Sequence, residues 1–220
     1  MPISLQAIVF DYGNVLSEPQ NAAEIRGMAS LLDLPLDEFE KSYWHFREAY
    51  DAAKFTPEEY WDKVARMAGR TLSPPQTGDL IELDSLSWMY PRMAIVEWAG
   101  LVRRGGFRTG LLSNMPVTLR DAIERCAWLP DFDQRTFSCD VEITKPSPEI
   151  YIHCLSGLGL APGDVLFLDD REPNVHAARD VGMHALQFTT LTDVAREIER
   201  SFDIPAPVAA TVRTGDEEDE

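Results

Sequence analysis

The chain is poor in basic residues: 20 lysines and arginines stand against 37 aspartates and glutamates, a formal charge of −17 with a pI near 4.5. A polyanion needs a basic face from which counterions are released, so nucleic acid is excluded as a partner. Cysteine is scarce too. Cys126, Cys139 and Cys154 are odd in number and none stands in a CxxC spacing, which excludes a disulfide frame and a thiolate zinc site. Histidine is equally thin, and His153, His176 and His184 fall in helix or strand patterns without metal-ligand spacing. No run of about 18 apolar residues is available to span a bilayer. Strand-like sequence begins four residues in, where a secretory signal would place a basic and then an apolar segment. A soluble cytoplasmic protein with no membrane partner is the expectation.

What is present suffices for a substantial core, since 45% of the 220 residues are hydrophobic. Apolar, β-branched or aromatic runs at Leu5–Phe10, Thr109–Leu112, Thr136–Cys139, Val165–Leu168 and Ala185–Phe188 predict five short buried strands. Helical patterns separate the later ones. Pro116–Cys126 carries Val117, Leu119 and Ile123 on one face, Ser147-Pro148-Glu149 opens another helix, and Pro173–Val181 and Thr192–Phe202 follow, with Gly182 suited to a left-handed stop. Strand, helix, strand in this rhythm implies right-handed crossovers, hence an α/β fold with a five-stranded Rossmann-like parallel sheet.

Residues 18–96 lack any clear strand. They show helical patterns at Asn21–Leu32, Asp37–Lys54, Pro57–Gly69, Gly78–Ser87 and Pro91–Arg104, the last crossing back, and Thr56-Pro57-Glu58-Glu59 fits a capping box. The predicted organisation is a core of residues 1–17 and 97–202, an inserted all-helical cap of residues 18–96, and a disordered acidic tail over 203–220. That tail carries the Pro/Ala-rich stretch Ile204–Ala210 and the run Asp216-Glu217-Glu218-Asp219-Glu220.

Four short signals sit at predicted strand ends. Asp11 closes the strand in Ala7-Ile8-Val9-Phe10-Asp11-Tyr12-Gly13-Asn14-Val15, and Leu111-Leu112-Ser113-Asn114, Thr144-Lys145-Pro146 and Leu166-Phe167-Leu168-Asp169-Asp170 follow. Singly, each has an ordinary reading: a turn residue, a helix N-cap, a solvent-facing lysine, an acidic helix start. Together they suit one phosphate and metal site at the carboxyl ends of a parallel sheet.

In this order, with a helical insert between the first and second, the four signals resemble those of the haloacid dehalogenase-like hydrolase superfamily with a small helical cap. The resemblance covers Leu5 to about Phe202. The Asp11-Tyr12-Gly13-Asn14-Val15 form and the neighbourhoods of Trp88-Met89 and Leu112-Ser113-Asn114 are similar to the sugar-1-phosphate phosphatase-like branch. It implies an Mg2+-dependent phosphatase of a small phosphorylated metabolite, monomeric or homodimeric, with Asp11 as the nucleophile that forms an aspartyl-phosphate. The resemblance further implies that Asp11, the Gly13 carbonyl and Asp170 hold Mg2+, while Asp169 orients a water, with the two acids of the doublet exchangeable. Ser113 and the backbone amides of Tyr12, Gly13 and Asn114 would donate to the phosphate, and Lys145 would offset charge on Asp11 and the phosphoryl group.

The pattern departs from the family at Gly13, where its phosphatases carry a second Asp that protonates the leaving oxygen and later activates water. General acid-base help is worth about 10² to 10⁴ in rate. Three accounts stay open: a good leaving group such as an anomeric sugar oxygen; a substitute from the cap, with His45, Glu48 and Asp84 as candidates; or a catalytically weak, phosphate-binding regulatory protein. A 2-haloacid dehalogenase is disfavoured, because those relatives place a Tyr two residues after the nucleophile and need no metal, whereas Tyr12 lies one residue after and Asp169-Asp170 is retained. In the cap, Tyr43, Trp44, His45, Phe46, Tyr50, Phe55, Tyr60 and Trp61, followed by Trp88 and Tyr90, read chiefly as core, with one or two rings left for a sugar or small aromatic pocket.

Overall fold

A computed structural model describes residues 2–208. In chain order, β1 (Ala7–Phe10) leads into five helices: α1 (Ala22–Leu31), α2 (Leu36–His45), α3 (Arg47–Asp51), α4 (Pro57–Met67) and α5 (Pro74–Ser87). The chain continues through α6 (Met93–Arg104), β2 (Arg108–Ser113), α7 (Val117–Ile123), β3 (Gln134–Phe137), α8 (Ser138–Val141) and α9 (Pro148–Leu158). It ends with β4 (Val165–Asp169), α10 (Glu172–Asp180), β5 (His184–Gln187) and α11 (Leu191–Ser201). No helix among the described residues is long and apolar enough to cross a membrane.

The strands form one parallel sheet in the order β3-β2-β1-β4-β5. Its faces follow from the two-residue alternation of a strand. Ile8 and Phe10 face one way with Leu111, Leu166 and Leu168, covered by Trp98 and Val102 of α6, Ile123 of α7 and Ile198 of α11. Ala7 and Val9 face the other way with Leu112, Val165 and Phe167, covered by Ile150 and Cys154 of α9 and Val175 of α10. Both faces are dry, which is why the strands read as continuous apolar runs. Gly110 stands opposite Val9, where an added Cβ would lie 2.9 Å from a Val9 methyl, so only glycine lets β2 approach β1.

The chain winds outward from β1 to β2 and β3, then returns across the sheet to β4 and β5. Connections from β1 and β4 therefore diverge, leaving a crevice at their carboxyl ends. Phe10 pairs with Leu111 on one side and Leu168 on the other, which brings Asp11, one residue on, level with Asp169.

Helices α1 to α5 enclose a core of their own around Met28, Phe39, Tyr43, Tyr50, Tyr60, Trp61 and Leu80. Most cap aromatics are spent there; the Tyr50 and Tyr60 rings stack at 4.1 Å. The capping box forms as read, with Thr56 Oγ1 accepting from the Glu59 amide at 3.2 Å and Glu59 Oε2 from the Thr56 amide at 2.8 Å. The stretch Asp37–Lys54, read as one helix, breaks at Phe46 (φ −106, ψ 1) into α2 and α3. Helix α5 starts at Pro74, four residues before the predicted Gly78, because Gln76 Oε1 accepts from the Ser73 amide.

Two boundaries move. Helix α6 packs entirely with the sheet, so the chain returns from the cap at Pro91–Arg92, ahead of residue 97; the two crossings lie side by side where Ser17 bridges Pro91 and Arg92 pairs with Glu18 at 2.8 Å. The tail does not begin at 203. Ile204 is buried, the Asp203 amide donates to the Ile3 carbonyl, and Trp98 Nε1 donates to the Pro205 carbonyl at 2.7 Å, since a buried indole needs an acceptor. The run 216–220 lies outside the described residues.

Candidate active site

After Phe10 the chain leaves the sheet in one wide turn, Tyr12–Leu16, closed by the Ser17 amide on the Tyr12 carbonyl at 2.8 Å. Asn14 takes the left-handed conformation (φ 60) that asparagine tolerates, and its Nδ2 donates to Asp170 Oδ2 at 2.8 Å. Asp11 Oδ1 accepts from the Tyr12 amide at 2.7 Å and pairs with Lys145 Nζ at 2.8 Å. Lys145, 3% exposed, also donates to Asp169 Oδ2 at 2.6 Å and to the Leu112 carbonyl at 3.0 Å. Asn114 holds the lysine in place: its side chain donates to the Lys145 carbonyl at 2.9 Å and accepts from the Lys145 amide at 2.8 Å.

The acidic doublet is unequal. Asp169 is fully buried and saturated, with Oδ1 accepting from the Arg171 amide (2.8 Å) and Asn174 Nδ2 (2.9 Å), and Oδ2 accepting from Lys145 and Asn174. Asp170 is tethered by Asn14 and borders the cleft.

Burial pushes Asp11 above the ordinary carboxylate range; Lys145 draws it back and Asp169 pushes it up further. Burial likewise raises Asp170, partly offset by the Asn14 hydrogen bond. Lys145 is pulled down by burial, but Asp11 and Asp169 outweigh this and hold it above its usual value. It is an ammonium at neutral pH. Oxygens of Asp11, Asp169 and Asp170 lie within 4.8 Å of one another, so three carboxylates share one ammonium and leave two negative charges uncompensated when all ionise. A hard divalent cation with oxygen ligands fits that donor set.

Asp11, Gly13, Ser113, Asn114, Lys145 and Asp170 all border one cleft of about 470 Å³ roofed by the cap, with Asp169 behind them. That volume suits a small metabolite. Tyr12 borders it as well, but its amide, expected to donate to phosphate, is committed to Asp11, and its hydroxyl donates to the Trp88 carbonyl at 2.8 Å.

Of the cap candidates for the missing acid, only Glu48 reaches the cleft. His45 is exposed elsewhere, and Asp84, 1% exposed, accepts from Tyr43 Oη at 2.6 Å and Arg47 Nη1 at 2.9 Å inside the cap. Sequence reasoning missed Arg47, Asp51, Arg171 and Asn174, which border the cleft too. A signal existed for Asn174, a helix-disfavouring residue one turn past the doublet.

A parallel α/β fold with a helical cap over a carboxylate-rich cleft at the sheet's switch point defines a class of capped hydrolases. Residues 5–182 match the model of the haloacid dehalogenase-like hydrolase family, and the chain belongs to that family. It is 33% identical over 209 residues to mouse N-acylneuraminate-9-phosphatase, covering 82% of this chain and 81% of that protein. Mouse bifunctional epoxide hydrolase 2 is 26% identical over 224 residues, 94% of this chain, but the chain spans only 40% of that protein's length. Among solved structures, a Bacteroides thetaiotaomicron enzyme of the family in complex with magnesium and inorganic phosphate superimposes with a TM-score of 0.67. It is 19% identical and covers 84% of this chain and 94% of its own, a likeness that shows the fold.

Proposed function

We propose that the protein is an Mg2+-dependent phosphatase of a small phosphorylated metabolite, working through an aspartyl-phosphate on Asp11. The observation that carries this reading is the fixing of Asp11 Oδ1 by Lys145 and the Tyr12 amide at the mouth of a metabolite-sized cleft. One oxygen is oriented and Oδ2 is left to attack phosphorus, the positioning on which phosphoryl transfer depends. Asp11, the Gly13 carbonyl and Asp170 would hold Mg2+, which when bound offsets the charge shared by nucleophile and phosphate. Lys145 stabilises charge gathering on the phosphoryl oxygens, and Ser113 adds a donor from the end of β2. Asp169 keeps Lys145 in position.

A sugar phosphate is the first substrate class to test, because Trp44 and Trp88 border the cleft and the relative at 33% identity is named N-acylneuraminate-9-phosphatase. Purified protein with Mg2+ should release phosphate from members of a sugar phosphate panel. No release from any member, with Asp11→Asn behaving identically, overturns the reading. The side-chain gap at Gly13 favours a second one, a phosphate-binding protein with feeble turnover. Beryllium fluoride with Mg2+ would then raise the melting temperature without steady turnover. Chloride release from a 2-chloro acid in chelator would instead mark a dehalogenase.

A further inference from the structure

A leaving alkoxide needs a proton, and the core half of the cleft has no free acid to give it: Lys145 is held as an ammonium between Asp11 and Asp169, above its usual value. Asp11 is the proposed nucleophile, Asp169 is enclosed, and Asp170 stands with the cation-binding acids. Gly13 offers no side chain, and a Cβ there would already touch Trp88 Cζ3 at 3.4 Å. The donor must therefore come from the cap, where Arg47, Glu48 and Asp51 border the cleft. Arg47 stays charged, and Glu48 is exposed to solvent.

Asp51 differs from both. It is 8% exposed, its Oδ1 accepts from Arg47 Nε at 2.8 Å, and its Oδ2 has no partner among the described residues. Its carbonyl accepts from Ser138 Oγ at 2.6 Å, and that same hydroxyl accepts from the Met115 amide at 2.9 Å. One hydroxyl thus ties the end of α3 to the loop that follows Ser113 and Asn114. Arg47 also pairs with Asp84, so Asp51 can become neutral without stranding a buried cation.

We propose, resting on the phosphatase reading above, that Asp51 is the cap-borne proton donor that replaces the side chain absent at Gly13. In the first step Asp11 Oδ2 bonds to phosphorus, the bond from phosphorus to the substrate oxygen breaks, and that oxygen takes the proton of the Asp51 carboxyl. In the second, water attacks phosphorus and gives its proton to the Asp51 carboxylate, the bond to Asp11 breaks, and both groups are restored. The surroundings suit this cycle. Burial raises the Asp51 carboxyl, Arg47 opposes this by charge and hydrogen bond, Asp84 and Glu48 add to the rise, and the balance is pushed up to about 6. Tyr43 and Tyr60, beside Arg47, and the Cys139 thiol are each raised by burial and stay neutral.

The test is the leaving-group dependence of Asp51→Asn, which retains an acceptor for Arg47 but has no acid proton. With Mg2+, kcat/KM for an alkyl phosphate should fall about 10² to 10³-fold, as general-acid loss does. For 4-nitrophenyl phosphate, whose leaving group needs no proton, it should change less than about fivefold. Asp51→Ser carries the same comparison should Asp51→Asn fail to fold. Equal losses on both substrates, or no loss on either, overturn the assignment and leave the phosphatase reading intact. A wild-type chain no more active than Asp11→Asn overturns both.

Discussion

Asn174 donates its side-chain amide to both oxygens of Asp169, at 2.9 and 3.0 Å. With Lys145 and the Arg171 amide it fills the acceptors of that carboxylate, so Asp170 rather than Asp169 turns to the cleft. Asn174→Ala would leave a fully buried carboxylate short of a donor, which costs about 1–3 kcal/mol. Urea denaturation should show that loss, and an unchanged midpoint would mean that Asp169 finds another donor at once.

The two acids should then respond oppositely to neutralisation. Asp169→Asn leaves Lys145 paired with Asp11, but it puts an amide where a fully buried carboxylate accepts from Lys145, the Arg171 amide and Asn174, and a buried donor left without its acceptor costs about 1–3 kcal/mol. Asp170→Asn removes a carboxylate whose charge is disfavoured by burial and by Asp169, so the cation-free fold should hold or gain stability. It should nevertheless abolish the rise in melting temperature produced by Mg2+. Thermal melts of both variants with and without the metal decide this.

Asp11 supplies a pH dependence with a definite sign. Its folded pKa is raised, so between the ordinary carboxylate range and that raised value the native state binds more protons than the unfolded chain. Its contribution to the stability of the cation-free protein falls as pH rises through that window. Asp11→Asn should therefore be more stabilising, relative to wild type, at pH 8 than at pH 5 in chelator. The same charge attracts the cation, so the Mg2+ shift in wild-type melting temperature should grow from pH 5 to pH 8; a flat profile would contradict the electrostatic account.

How much of this was legible in the chain depends on what each residue answers to. Four of the strands and the four signals were readable because they are local: β1 is a run buried on both faces, and Asp11, Ser113 and Asp169 sit where such runs stop, whereas the run Thr136–Cys139 is strand only to Phe137, because α8 begins at Ser138. The capping box at Thr56 is set by residues three apart. The break at Phe46 is different. Its flanks are periodic enough for one helix, and the docking of α3 against Ser138, 87 residues away, redirects Arg47 and Asp51 into the cleft. The unequal doublet was hidden for a similar reason, since Asp169 and Asp170 differ only in partners brought by Lys145, Asn174 and Asn14. Ile204 looked like tail because its neighbours are Pro and Ala, and the indole that ties the segment down, Trp98 on the Pro205 carbonyl, lies over a hundred residues earlier.

Gly13 tests whether the cap and core share the work of the site. Its backbone (φ −62, ψ 131) is open to any residue, so glycine is not required there for conformation. The constraint is Trp88, whose ring lies 3.4 Å from where a Cβ would stand. Gly13→Ala should be nearly neutral. Gly13→Asp pushes a longer side chain into the indole, an overpacking that costs about 1–3 kcal/mol, and adds a charge beside three carboxylates. It should therefore lower stability without raising turnover, although it restores the residue type that family phosphatases carry. In a Trp88→Ala background the ring is gone and the steric part of the penalty goes with it. A double-mutant cycle over Gly13→Asp and Trp88→Ala should give a coupling above about 0.5 kcal/mol, as neighbours in contact do. Additive losses would mean that charge alone, and not the indole, keeps position 13 bare.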